Sequence, residues 1–370
     1  MLLRSALAGC LIALAAPGAQ ADLMFVLNSR DASVSVLDVA SGALKQTIST
    51  GKEPHHLIPT PDRKTLIVAA AVGNELLFLD PATAKVQRRL PMDDPYHLGF
   101  SPDTQWLVIA ANRLDRVDVY RAADYTRVAK LPLPSIPSHI AFSKDSKFAF
   151  VTLQGSNKLA AVDLTTMKTA WQMPVGRTPA GVVMTPDDRH LLIGVMEDNN
   201  VVAIDWRTQA IVKRLPTGGG AHNLYQSADG KQIFVSNRGE NSVSVIDPDT
   251  LEIRRKFPVP GGPDDMELSP DGRELWVTSR WIMKVSVLDL ASGKVVRQYP
   301  VGRSPHGLFY AAAPAATNAA PAATSAVPPA AATPAASGAA SGAKAAAASG
   351  ATPPASAATP APAPGPAPRR

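Results

Sequence analysis

An aspartate closes an alternating apolar run at Asp38 (SVSVLD), Asp80 (ELLFLD), Asp163 (LAAVD), Asp205 (VVAID), Asp247 (VSVID) and Asp289 (VSVLD), with Arg121 (VDVYR) in the third slot. The successive steps are 42, 41, 42, 42, 42 and 42 residues. A fixed period of this length belongs to repeat architectures. A second column keeps the same register at Pro54, Pro95, Pro137, Pro179, Ala221, Pro263 and Pro305, each opening a short apolar segment. Turn aspartates form a third column at Asp62, Asp103, Asp145, Asp187, Asp229 and Asp271.

Each period reads as four short strands, with Gly, Asn, Asp and Pro between them and no helical spacing. One four-stranded meander cannot bury both of its faces, and radial stacking of several does so. The second to fourth strands occur seven times from Leu23 onward, but the first copy lacks its opening strand, which reappears as Pro305 to Tyr310. The expected fold is therefore all-β: a seven-bladed β-propeller of four-stranded antiparallel blades over 22–310, closed by N- and C-terminal strands that share one blade.

The two ends are different material. Arg4, the apolar stretch Ala6 to Ala16 and the Ala19-Gln20-Ala21 cleavage signal give residues 1–21 the anatomy of a signal peptide. This predicts cleavage after Ala21 and a periplasmic or secreted protein; Leu7-Ala8-Gly9-Cys10, read as a lipobox, is the minor alternative. Cleavage removes Cys10, the one cysteine, which excludes disulfides, c-type haem attachment, cysteine nucleophiles and thiolate metal sites. The apolar stretch is too short to span a bilayer, so no transmembrane segment is expected after cleavage. Residues 311–370 are almost entirely Ala, Pro, Ser, Thr and Gly with only Lys344, Arg369 and Arg370 charged, a composition expected to form a disordered tail. The net charge of +6 includes +3 from that tail and +1 from the leader, leaving +2 on the propeller. That balance argues against nucleic acid, which needs a clustered basic face. A monomer is expected.

Six of the seven histidines fall one or two positions after the proline column: His55, His56, His97, His139, His222 and His306. The first strand of a blade lies innermost, so these residues and the pair Asp264 and Asp265 converge on one mouth of the central channel. Neutral imidazole is the commonest ligand for copper, zinc, nickel or iron. The rival reading is inherited packing, one histidine copied by duplication. The adjacent pair His55-His56 speaks against it, because neighbours on a strand face opposite ways. His55, His56, His97 and His306 lie on adjacent blades and form the expected ligand subset. Arg177 and Arg303 precede the proline column, and Arg30, Arg113, Arg238 and Arg280 follow the second strand, where they would suit an anionic cofactor's carboxylates or phosphates. Glu197, Glu267, Asp264 and Asp265 are the candidate bases of a hydrolase. Gly218-Gly219-Gly220 lacks the Lys-Ser/Thr of a phosphate loop, and no HExxH occurs.

FVSNRGENSVSVIDPDT, MFVLNSRDASVSVLD and WVTSRWIMKVSVLD resemble the YVTN family of seven-bladed propellers over about 23–310, while IVAAAVGNELLFLD and VIAANRLDRVDVYR depart from its pattern. That resemblance specifies the fold and leaves function open. The histidines resemble those of the nitrous-oxide reductase propeller, which implies copper with His55 and His56 as its pair and His97, His139, His222 and His306 as single ligands. The absence of a following cupredoxin domain and of cysteines puts the reductase activity itself in doubt. A histidine beside arginines also resembles haem d1 propellers and implies a haem-type cofactor. The expected function is a periplasmic, non-enzymatic binding protein whose mouth handles a transition metal, copper or zinc, or a metallocofactor. The alternatives are a scaffold for a periplasmic protein partner and a metal-assisted lactonase or hydrolase.

Overall fold

Residues 21–313 are described in the computed structural model of this protein. The expected leader with Cys10 and the Ala/Pro-rich segment from residue 314 lie outside the described residues.

Each repeat begins and turns where its polar columns stand. In the turn between the first and second strands, a Ser or Thr hydroxyl donates to the aspartate of the third column, as in Thr60 to Asp62 at 2.7 Å and Ser269 to Asp271 at 2.6 Å. The same carboxylates accept the backbone N–H two residues on, from Lys64 and Arg273 at 3.1 Å each. The aspartate after the third strand works alike: Asp205 accepts from the backbone of Arg207 and Thr208 at 3.0 Å each, and Asp247 from Asp249 and Thr250 at 2.9 and 3.0 Å. Both columns are Asx turns that replace lost ladder hydrogen bonds.

Six blades are contiguous in sequence and run from the innermost strand outward. The first blade holds Pro54–Pro59, Leu66–Ala70, Glu75–Leu79 and Val86–Pro91. The innermost strands of the next five are His97–Phe100, Pro137–Phe142, Pro179–Met184, Ala221–Gln226 and Pro263–Leu268. In the seventh blade, Pro305–Ala311 pairs with Leu23–Asn28, followed by Ser33–Asp38 and Leu44–Ser49. Seven four-stranded antiparallel sheets thus form the ring, and the innermost strands touch in unbroken order around it. The closing strand runs one residue beyond the sequence boundary at Tyr310, because Ala311 pairs with Leu23 and Tyr310 Oη donates to Asp22 Oδ2 at 2.7 Å.

Alternation on the middle strands sends one set of side chains to each neighbouring blade, so the core is a set of inter-blade layers. Phe25, Leu27 and Val34 of the seventh blade interlock with Leu66, Val68 and Leu77 of the first, all fully buried. The outermost strands stay largely exposed, as in Leu44–Ser49. Among the described residues, no helix is long and apolar enough to cross a membrane.

Candidate functional site

The proline column shapes the mouth. Proline has no N–H to donate and suits the first position of a strand. A β-bulge follows it: Pro263 pairs with Ser279 but Met266 with Val277, so three steps on one strand face two on the other. The same irregularity follows Pro137, Pro179 and Ala221, and a shorter one follows Pro54. A bulge re-aims side chains, so two successive residues reach one space: the rings of His55 and His56 lie 4.7 Å apart. Hydroxyls on the second strands hold three of these bulges. The N–H groups of His139, Asn223 and Asp265 donate to Thr152, Ser236 and Thr278 at 3.1, 3.1 and 2.9 Å. Thr152 and Ser236 pass their own protons to the carbonyls of Ala180 and Asp264 in the next blade.

All six column histidines meet at the mouth. Ring centroids are 3.8 Å apart for His55 and His306, 4.4 Å for His56 and His97, 5.0 Å for His97 and His139, and 5.6 Å for His139 and His222. Tyr96 stacks on His55 at 3.9 Å. Five of the six are buried, and His97 is half-buried. The column stops at Gly181 and Gly307 for lack of room: a Cβ there would come within 2.7 Å of His222 O and 2.6 Å of Leu57 Cδ2.

Burial holds these imidazoles neutral. It depresses His222 to about 4, with Arg238 adding to the effect. His55, His56, His139 and His306 fall well below the usual imidazole range, first through burial, with repulsion from the other imidazoles and, for all but His56, from Arg238 or Arg280 adding to it, while Asp264 opposes the shift at His55 and His306. Among the described residues, seven ring nitrogens of these six histidines have no hydrogen-bond partner: Nδ1 of His55, His97, His222 and His306, and Nε2 of His56, His139 and His306; Nδ1 of His190, away from the mouth, is unpaired too. His139 is oriented through its other nitrogen, 2.8 Å from Ser138 Oγ. A buried polar atom left unpaired costs about 1–3 kcal/mol; a neutral ring carries a proton on one nitrogen, so His306 offers one lone pair and not two, and the donor atoms close enough to share a ligand come in threes. The neutral imidazole lone pair suits a transition-metal ion.

Asp264 is the one fully buried carboxylate of the cluster. Arg238 Nη2 and Arg280 Nη1 clamp its two oxygens at 2.5 and 2.8 Å. Burial opposes its ionisation, but Arg238, His306 and His222 outweigh that and hold it well below the usual carboxylate range. His222 Nδ1 lies 3.0 Å from Oδ1, an ion-pair distance without hydrogen-bond alignment. Two groups of donor atoms lie within 4.8 Å of one another: His55, His56 and His306, and His222, Asp264 and His306. The second already faces two guanidiniums, which repel a further cation. The first does not contain the clamped carboxylate and is the better cation site.

The structure separates the remaining candidates. Asp265 does not join Asp264. It takes the Asn223 amide at 2.7 Å, and burial raises it to about 7. Glu267, two residues on along the same strand, is raised to about 8 by burial and then by Asp265. Glu197 is an exposed rim residue that accepts from Thr178 Oγ1 at 2.8 Å. Of the six arginines, only Arg238 and Arg280 reach the cluster. Arg113, Arg177 and Arg303 turn away to carboxylates on the rim, Asp94 at 2.8 Å, Asp198 at 2.6 Å and Asp31 at 2.5 Å, because each has an aspartate at hand. Arg30 is exposed beside them. His97 lies against His56 but outside the two donor groups. The bulge-holding Thr152, Ser236 and Thr278 escape a reading based on titratable groups. Their common register, nine residues before Ala161, Val245 and Val287, is the signal that could have found them.

A seven-bladed propeller with a histidine-lined mouth is thus the class of protein that the fold and site define. Residues 2–315 match the YNCE-like β-propeller family, and the chain belongs to it. Among curated proteins, none matches the chain by sequence. Three solved structures share the fold. Hydrazine synthase of Kuenenia stuttgartiensis is 21% identical with a TM-score of 0.60, over 69% of this chain and 88% of that one. The periplasmic gluconolactonase PpgL of Pseudomonas aeruginosa is 21% identical with a TM-score of 0.65, over 79% and 99%. The dihydro-haem d1 dehydrogenase NirN, in complex with DHE, is 17% identical with a TM-score of 0.59, over 78% and 74%. At these identities the likeness is one of fold.

Proposed function

We propose that this protein is a periplasmic binding protein that holds a transition-metal ion, copper or zinc, on the imidazoles of its channel mouth. One observation carries the reading: the convergence of buried ring nitrogens that no protein group satisfies. His55, His56 and His306 would be the primary ligands, with His97, His139 and His222 around them. Imidazole donors and no thiolate suit both metals. A bound ion would supply Lewis acidity; the protein's own part is to keep the rings neutral, oriented and shielded from bulk water. Inherited packing accounts for this poorly, since a packing role would leave each nitrogen with a partner.

The test is metal analysis of protein isolated from its cell envelope, followed by calorimetric titration with zinc and copper at neutral pH. Wild type should take up metal, and combined replacement of His55, His56 and His306 by alanine should abolish uptake while circular dichroism stays native. Failure of wild type to bind, or equal binding by the variant, returns the protein to the scaffold reading. Likeness in fold to PpgL and the raised carboxyl of Asp265 favour a second reading, metal-assisted hydrolysis. Turnover of a lactone by the metal-loaded protein, lost in Asp265→Asn, would establish it.

A further inference from the structure

The mouth is asymmetric in a way that points to a second component. Arg238 and Arg280 stand nine residues before the aspartates that close their blades' third strands, Asp247 and Asp289. The same position before Asp38, in the seventh blade, is Ser29. Around Asp264, then, the mouth is filled by two guanidiniums on a built-in carboxylate. One blade further on, the small Ser29 is buried and spends its hydroxyl on Pro54 O at 2.8 Å, and the corresponding inner-strand residues are His306 and His55 instead of an aspartate. Where the two preceding blades carry arginine, this blade has a cavity of about 670 Å³.

Four cations line that cavity: Arg30, Lys52, Arg280 and Arg303. Asp31 also lines it but is engaged by Arg303, which leaves Glu53 as the opposing charge. Among the described residues, the side chains of Arg30 and Lys52 have no ion-pair partner within 4.0 Å. Ser304 and Glu53 in its wall directly precede Pro305-His306 and Pro54-His55, so the cavity lies at the start of the two strands that carry the rings 3.8 Å apart. Arg280 belongs to both regions, lining the cavity while binding Asp264.

We infer that this cavity receives an organic anion whose carboxylate or phosphate takes the place that Asp264 holds on the other side of the mouth, reaching the metal on His55, His56 and His306. The inference rests on the metal-binding reading above and adds the class of the second ligand. A cation held by neutral imidazoles gains a counter-charge. Arg30, Lys52 and Arg280 supply charge-assisted hydrogen bonds to the same oxyanion.

Benzoate and phenyl phosphate are the probes, titrated calorimetrically into zinc-loaded and metal-free protein. The visible spectrum of the cobalt-substituted protein supplies an independent readout. At least one probe should bind the zinc form about tenfold or more tighter than the metal-free form and perturb the cobalt spectrum, since one charge-assisted bond is worth about that factor. Which probe wins tells a carboxylate ligand from a phosphate one. Arg30→Gln combined with Lys52→Gln should weaken binding about tenfold, and Ser29→Arg, which fills the cavity as in the two preceding blades, should abolish it. Zinc uptake without binding of either probe, or anion affinity unmoved in both variants, overturns this inference and leaves the metal reading standing. Absence of zinc and cobalt uptake by wild type overturns both.

Discussion

At the scale of single residues, the mouth sets stability against readiness to bind. A histidine whose folded pKa lies below its ordinary 6.5 takes up a proton more readily in the unfolded chain, so stability is full above that value and lost as pH falls toward the folded pKa. For His222 the window runs from 6.5 down to about 4. Within such a window each ring held neutral costs about 1.4 kcal/mol per pH unit. Asp265 and Glu267, raised to about 7 and about 8, have the opposite sign and offset part of this loss, while Asp264, held below 3.8, loses its own contribution only below that pH. Urea unfolding of the metal-free protein should therefore show the midpoint falling steeply from pH 7 to pH 5. A midpoint that does not move would mean the rings are protonated in the fold, and would remove the neutral donor set.

At the scale of elements, the bulge after the proline column makes a functional site out of an ordinary inner strand. Thr152→Val should strand the His139 N–H and the Ala180 carbonyl, costing about 1–3 kcal/mol for each group left unpaired. Thr152→Ser should retain most of the stability and the metal affinity. Equal urea midpoints for Val and wild type would show that the hydroxyl does not hold the bulge. The histidines are legible in the sequence because they keep the period of the prolines. The bulge is not, since it exists only relative to a partner strand, as when Met266 opposes Val277. Arg280 and Arg113 share the same loop of their blades but not its position, standing nine and eight residues before Asp289 and Arg121, and in the structure Asp94 lies within reach of Arg113 and Asp264 of Arg280.

At the scale of the whole molecule, closure by a strand from Pro305 to Tyr310 is legible from counting alone, because six full repeats and two complementary fragments admit one ring, and the structure extends that strand by one residue to Ala311. A chain ending after Arg303 would lose that strand and the ion pair of Arg303 would be left at a free end. It would also expose the apolar layer that Phe309 and Leu308 cover. Its melting temperature should drop by more than about 10 °C, several kcal/mol for a domain of this size; a drop within about 2 °C would mean the closing strand is dispensable. The order of synthesis gives this closure another meaning. His55 and His56 are made early and His306 some 250 residues later, so the three rings share a space only after the final strand has docked. A chain still emerging from the ribosome or the export channel has at most two of them. The proposed metal site would come into being at the moment the ring is complete, and its occupancy would report that folding has finished.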